Sequence, residues 1–140
     1  MIELGIVQIV FCSHATDSQD TNKLNRNIKN IVQDARIKNA KLGITGALLT
    51  DKASFAQVAE GSFSSVEDMY SDVVNDKRHY GVELLQYVVT HVRLLPLRAL
   101  AFVEVDRIPR IDEIKGYSTS LERRKACLSV LATLRPLLLR

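Results

Sequence analysis

Apolar positions recur along this chain at two periods, and the switches between a period of two and one of about 3.6 mark out its elements. From Ile6 to Ser13 the run is short, β-branched and aromatic. Two-residue alternation puts Ile9, Phe11 and Ser13 on one face and Gln8, Val10 and Cys12 on the other, which predicts a strand with Ile9 and Phe11 toward the core. After a polar loop from Ala15 to Thr21, Leu24, Ile28, Ile31, Val32 and Ala35 return at helical spacing, with Lys23, Arg26, Lys29 and Asp34 on the opposite side. This predicts an amphipathic helix capped near Asp20 or Thr21. Gly43 leads into a strand from Ile44 to Thr50, Asp51 to Ser54 turn the chain, and Phe55 to Ala59 return antiparallel as a hairpin. Ser64 and Glu67 form a capping-box pattern ahead of Val66, Met69, Tyr70, Val73 and Val74, predicting a second helix to about Asn75. Two further strands are predicted at Val82 to His91 and Leu97 to Val105, the latter placed just after Pro96.

The order strand, helix, strand, strand, helix, strand, strand points to the α+β class: a ferredoxin-like mixed sheet with two helices on one face. That unit occupies residues 1–106, and residues 107–140 form a C-terminal helical extension. Ser118 or Ser120 is positioned to cap the extension's helix, Leu121, Leu128, Leu131 and Leu138 lie near one stripe, and Pro136 is expected to end or kink it. A sheet covered on one face only leaves the other apolar and wet. The extension is therefore expected to pack on that face, or else on a protein partner or a second copy in a homo-oligomer.

With 140 residues, 46% of them hydrophobic, the chain can bury one core. Lysine and arginine number 19 against 16 acidic residues, a net +3 that does not argue for nucleic acid. Arg123, Arg124 and Lys125 read as one solvated turn and not as a membrane surface. The apolar start, MIELGIVQIVFC, is too short to span a bilayer and lacks a basic lead or cleavage site. Cys12 and Cys127 lack metal-ligand spacing and read as reduced, buried thiols, which suits a cytoplasmic setting. The three histidines, His14, His79 and His91, are scattered without ligand spacing, so no metal site is expected. Ser13 and His14, as strand neighbours, point to opposite faces and cannot act as nucleophile and base. GITG at 43–46 lacks the length and lysine of a phosphate loop. An enzyme is the less favoured class.

Two amides stand apart. Strand alternation puts Gln57 on the face shared by Phe55 and Ala59, under the helices, and Asn39 sits at the C-terminal end of the first helix. A buried amide needs partners. It both donates and accepts, which matches the pyrimidine edge of a flavin. Taken alone, the residues favour a glutamine bonded within an ordinary core and an asparagine that caps its helix.

Asn39 preceded by a polar residue, LGITG at 42–46, FAQVAEG at 55–61 and NDKRH at 75–79 together resemble the BLUF family, small bacterial domains that sense blue light using FAD. The resemblance covers roughly residues 6–105. It implies a ferredoxin-like fold with FAD between the two helices: Asn39 at the pyrimidine edge, Gln57 as the switching amide, Ile31 and Val73 against the ring system, and Lys38 beside Asn39. Where the family carries its photoactive tyrosine this chain has Phe11, which has no O–H to donate and is far harder to oxidise. Lys38 and Asp72 also depart from the family's usual side chains, and Arg98 and Leu100 stand where a tryptophan and a methionine relay the signal. The resemblance therefore implies one of two things: an FAD-binding regulatory domain with an altered or absent light response that acts through protein contacts, or a flavin-free interaction module on the same fold.

Overall fold

Side-chain alternation in the strands sorts the buried residues into two apolar layers, one on each face of a single sheet. The computed structural model describes residues 5–114, 116 and 118–138, and for 137 and 138 the helical backbone alone. The elements are β1 (Ile6–Ala15), α1 (Thr21–Leu42), β2 (Thr45–Thr50), β3 (Ser54–Ser62), α2 (Phe63–Asn75), β4 (His79–Thr90), β5 (Ala101–Glu104), a 3-10 turn (Ile111–Glu113) and α3 (Ser120–Leu138). The strand order is β4-β1-β3-β2-β5. β1 lies antiparallel between β3 and β4, β2 pairs antiparallel with β3, and β5 joins parallel to β2. This is the expected ferredoxin-like α+β arrangement with a fifth strand at one edge.

On one face, Val7, Ile9 and Phe11 of β1 pack with Val66 and Met69 of α2, while Leu24, Ile28 and Val32 of α1 pack with Leu48, Phe55 and Leu100. The other face carries Val10, Cys12, Leu49, Ala56 and Val58. They lie under Ala126, Cys127, Val130 and Leu134 of α3 and under Ile108, Ile111 and Ile114 from the segment before it. Asp20 starts α1 by accepting from the Lys23 N–H, and Gly43 stops it in the left-handed conformation at φ 69°. Gly46 lets β2 approach β3: a Cβ there would meet the Val58 carbonyl oxygen at 1.9 Å.

Four expectations are corrected. Regular pairing in the last strand begins at Ala101, not Leu97, whose side chain is 91% exposed. The preceding segment keeps a single backbone bond to β2, from the Gly46 N–H to the Arg98 carbonyl at 3.1 Å, and side chains do the rest: the Glu60 carboxylate accepts from the Leu94 N–H at 2.8 Å and the Leu95 N–H at 2.6 Å, and Arg93 donates to the carbonyls of Gly43 and Glu60. The cap of α2 is Ser62, which accepts from the Ser65 N–H, so Ser64 and Glu67 lie inside the helix. The cap of α3 is Thr119: its hydroxyl accepts from the Glu122 N–H while Glu122 accepts from the Thr119 N–H. This reciprocal pair is a capping box, and it displaces both Ser118 and Ser120 from the role. Finally, α3 turns a different stripe inward. Leu121 and Leu128 are 60% and 56% exposed, whereas Ala126, Cys127, Val130 and Leu134 are buried and Leu131, of the expected stripe, packs partly against them. The helix runs through Pro136 to Leu138, whose side chain lies outside the described residues.

Glu60 is fully buried and also accepts from the Gln8 amide at 3.1 Å. Glu60→Ala would leave three donors without their acceptor, at about 1–3 kcal/mol for each that water does not reach. A loss of about 3 kcal/mol, read from the urea midpoint, is expected; an unchanged midpoint would show that the 94–95 segment is not fastened by this group.

Candidate functional site

α1 and α2 diverge over the sheet and leave a cleft of about 240 Å³ between them. A dry cavity of about 150 Å³ holds a benzene ring, so the space exceeds one aromatic ring. Phe11, Ile31, Lys38, Asn39, Gln57 and Val73, the six residues singled out from the sequence, all line it. Two-residue alternation brings Phe11 and Gln57 up from the sheet, where they are register partners across β1 and β3. Helical spacing brings Ile31, Lys38 and Asn39 down from α1 and Val73 from α2. Leu48, Phe55 and Met69 add apolar wall.

The floor is where the chemistry lies. Asn39 is 1% exposed and donates through Nδ2 to the Ala99 carbonyl at 2.9 Å, so it does not cap its helix. Its Oδ1 is buried and has no hydrogen-bond partner. Gln57 is 6% exposed, and no side-chain hydrogen bond to it exists among the described residues. A buried polar atom such as Asn39 Oδ1, without a partner, is rare in folded proteins and calls for one. An acceptor at Asn39 together with an amide that both donates and accepts at Gln57, between apolar walls, suits a flat heteroaromatic ring with an edge of alternating N–H and C=O groups. Phe11 contributes only hydrocarbon, its ring set edge-on to Tyr70 with centroids 5.4 Å apart.

The rim is charged and internally paired. Lys38 of α1 forms an ion pair with Asp72 of α2. Arg78 reaches Asp34 of α1 at 2.9 Å and Asp76 at 2.6 Å. Burial works against the Asp76 carboxylate, but the Arg78 guanidinium more than offsets it and holds the carboxyl below its ordinary range.

Sequence reasoning missed Ser13, Arg78 and His79 as parts of the site. The signal for Ser13 was its shared face with Phe11; for the other two it was NDKRH, which had no structural reading of its own. His79 Nε2 lies 2.6 Å from the Val73 carbonyl and must donate to it, so Nδ1, 2.7 Å from Ser13 Oγ, accepts the Ser13 hydroxyl proton. The adjacent Ser13 and His14 do not pair; Ser13 pairs with a histidine 66 positions away. The thiols take no part. Burial pushes Cys12 up to about 12 and raises Cys127, and both are free. Among the described residues there is no group of histidine, cysteine or carboxylate side chains able to hold a metal ion, and no helix is long and apolar enough to cross a membrane.

Comparison with known proteins adds to this geometry. Residues 6–97 match the family described as sensors of blue-light using FAD, BLUF. The blue light- and temperature-regulated antirepressor BluF of Escherichia coli strain K12 is 32% identical over 81 residues, which cover 57% of this chain and 19% of that protein's length. Among solved structures, the dark state of BlrB, a BLUF protein, superposes with a TM-score of 0.69 at 22% identity, over 93% of this chain and 95% of that one. The BLUF structure of BlrP1 gives 0.67 at 24% identity, over 92% and 90%. At these identities the two structures show a shared fold.

Burial lowers the His79 pKa below its ordinary 6.5, only partly offset by the bond to Val73. The folded state then binds fewer protons than the unfolded one, so the stability due to neutral His79 is full above about pH 6.5 and is lost as pH falls below it. Urea midpoints should fall between about pH 7.5 and 5.5, and His79→Gln should flatten that slope. An equal slope in the variant would contradict the assignment.

Proposed function

The chain belongs to the BLUF family, the sensors of blue light using FAD, and from that premise we propose that its cleft is the flavin site of a regulatory domain acting through protein contacts, with a light response altered at Phe11. One observation carries this reading: the buried, unpartnered Oδ1 of Asn39. Within a closed core such an atom costs about 1–3 kcal/mol, and an N–H from a ligand's pyrimidine edge removes that cost. Gln57 supplies a second polar contact, and Ile31 and Val73 form opposing apolar walls. Lys38 neutralises Asp72, whose carboxylate alone would repel a phosphate near the rim.

When bound, a flavin supplies blue-light absorption and an electron acceptor. The response to excitation is decided by the chain's own residues, and Phe11 offers neither a proton nor a readily lost electron. The relay differs as well. Leu100 is 2% exposed within the α1 layer and Arg98 is exposed. The cleft still meets the approach to the last strand, through the bond from Asn39 to the Ala99 carbonyl and the packing of Leu100 with Leu48 and Phe55. We assign residues 1–106 to the sensory unit and 107–140 to the extension that carries its state to a protein partner. The light- and temperature-regulated antirepressor, a much longer protein, supports the idea of such a partner. Free buried thiols support a cytoplasmic setting.

The cleft volume favours a second reading, since ligand sites more often measure about 300–1,000 Å³. In that reading Phe11 and Leu100 have closed down a former pocket and the domain is a flavin-free interaction module.

The visible spectrum of the purified protein, before and after blue illumination, separates the two. A yellow protein without a red-shifted lit state is expected. A colourless protein that takes up no added FAD would establish the module, and an ordinary red shift would overturn the role given to Phe11. Asn39→Ala should weaken FAD binding about tenfold in a fluorescence titration. Phe11→Tyr is expected not to restore a full photocycle, because Arg98 and Leu100 remain; full recovery would show that the missing hydroxyl was the whole difference.

A further inference from the structure

The sheet has two edges, and they are built differently. At one, β5 has four residues and ends at Glu104, which forms an ion pair with Lys52 at 3.5 Å. Short length and charge are the usual means of blunting an edge against unwanted pairing. At the other, β4 has 12 residues and contains no lysine, arginine or proline. Its one acidic residue, Glu83, is turned inward, its side chain 14% exposed and 3.6 Å from Arg123 of α3. Tyr87, Val88 and Val89 are 45%, 39% and 66% exposed. A long, uncharged, apolar edge of this kind is a template for another strand.

The sequence of the edge says which strand. Beyond an irregularity between Leu84 and Gln86, the pairing of β4 with β1 is regular from Gln86 to Thr90, which leaves Gln-Tyr-Val-Val-Thr as the undistorted segment facing outward. Set antiparallel to itself about a two-fold axis through Val88, this segment places Gln86 opposite Thr90, Tyr87 opposite Val89, and Val88 opposite Val88. Polar residues meet polar and apolar meet apolar, with no like charges apposed. The aromatic and β-branched pair occurs twice by symmetry. Moving the axis by one residue, to Tyr87 or to Val89, breaks the match: Gln86 or Thr90 then faces Val88. The pattern is complementary to itself in one register.

We propose that the free edge of β4 pairs with β4 of a second copy of this chain, two-fold about Val88, so that two five-stranded sheets become one continuous sheet. The interface lies away from the mouth between α1 and α2 and does not require flavin.

Sedimentation and light scattering of the full chain across a range of concentrations test this. A reversible dimer of twice the chain mass is expected. Val88→Lys and Val88→Glu each put like charges face to face on the axis, so each should be monomeric on its own, with the dissociation constant raised at least about tenfold. An equimolar mixture of the two should recover the dimer, which also shows that both are folded. Val89→Lys, at the most exposed of the three positions, should weaken the dimer with an unchanged far-ultraviolet spectrum. The proposal is overturned if the unmodified chain stays monomeric at the highest concentration, or if it dimerises and both lysine variants dimerise as tightly.

Discussion

One amide, Asn39, sets the terms for the rest of this structure. It sits in the last full turn of α1, three residues before the helix ends, and its two polar atoms face different fates. Nδ2 donates to the Ala99 carbonyl, pinning the chain two residues ahead of β5, while Oδ1 is buried without a partner. The first contact couples the helix to the edge of the sheet. The second makes the cleft floor a place where a donor is needed. A side chain that could satisfy both atoms from within the core would have closed the site.

Around that point the chain relies on side-chain bonds where regular structure is missing. From the end of β4 to the start of β5 the backbone has one bond to a strand, from the Gly46 N–H of β2 to the Arg98 carbonyl, and Glu60, Arg93, Arg36 and Asn39 hold the rest. The Glu60 carboxylate belongs to a longer line: Gln86 of β4 donates to Gln8 of β1, which donates to Glu60 of β3, which holds Leu94 and Leu95. Gln57 and Glu60 project from opposite faces of the same strand. The cleft and the face under α3 are thus two sides of β3, so a change at one has a short mechanical route to the other.

How much of this was legible in the sequence depended on whether a local period carried the information. The strand alternation of β1 and β3 and the stripe of Leu24, Ile28 and Val32 are local patterns, and they sufficed to turn Phe11, Gln57 and Ile31 inward; it took the resemblance to a known family to put Asn39 with them around one space. Groups whose role depends on a distant partner were not legible. His79 reads as a stray histidine until Ser13 and Val73 are seen beside it, and Arg78 reads as a surface charge until Asp34 closes on it. Glu60 sits in the same motif as Gln57, yet nothing local says that two amide N–H groups 34 and 35 positions away need its oxygens. In α3 the error ran the other way. Leucines at heptad-like spacing formed the more conspicuous stripe, but the face that meets the sheet is Ala126, Cys127, Val130 and Leu134, with Leu131 the member of the expected stripe that packs against it among the described side chains.

The central claim is that Asn39 Oδ1 accepts a hydrogen bond from the imide N–H of a flavin, and changing the ligand tests this without disturbing the fold. Fluorescence titration of the flavin-free protein should compare riboflavin with its N3-methyl derivative, which keeps the ring and both carbonyls but lacks that proton. Binding of riboflavin with at least about tenfold weaker binding of the methylated compound is the expected result. Equal affinity for the two, or none for either, would contradict the account.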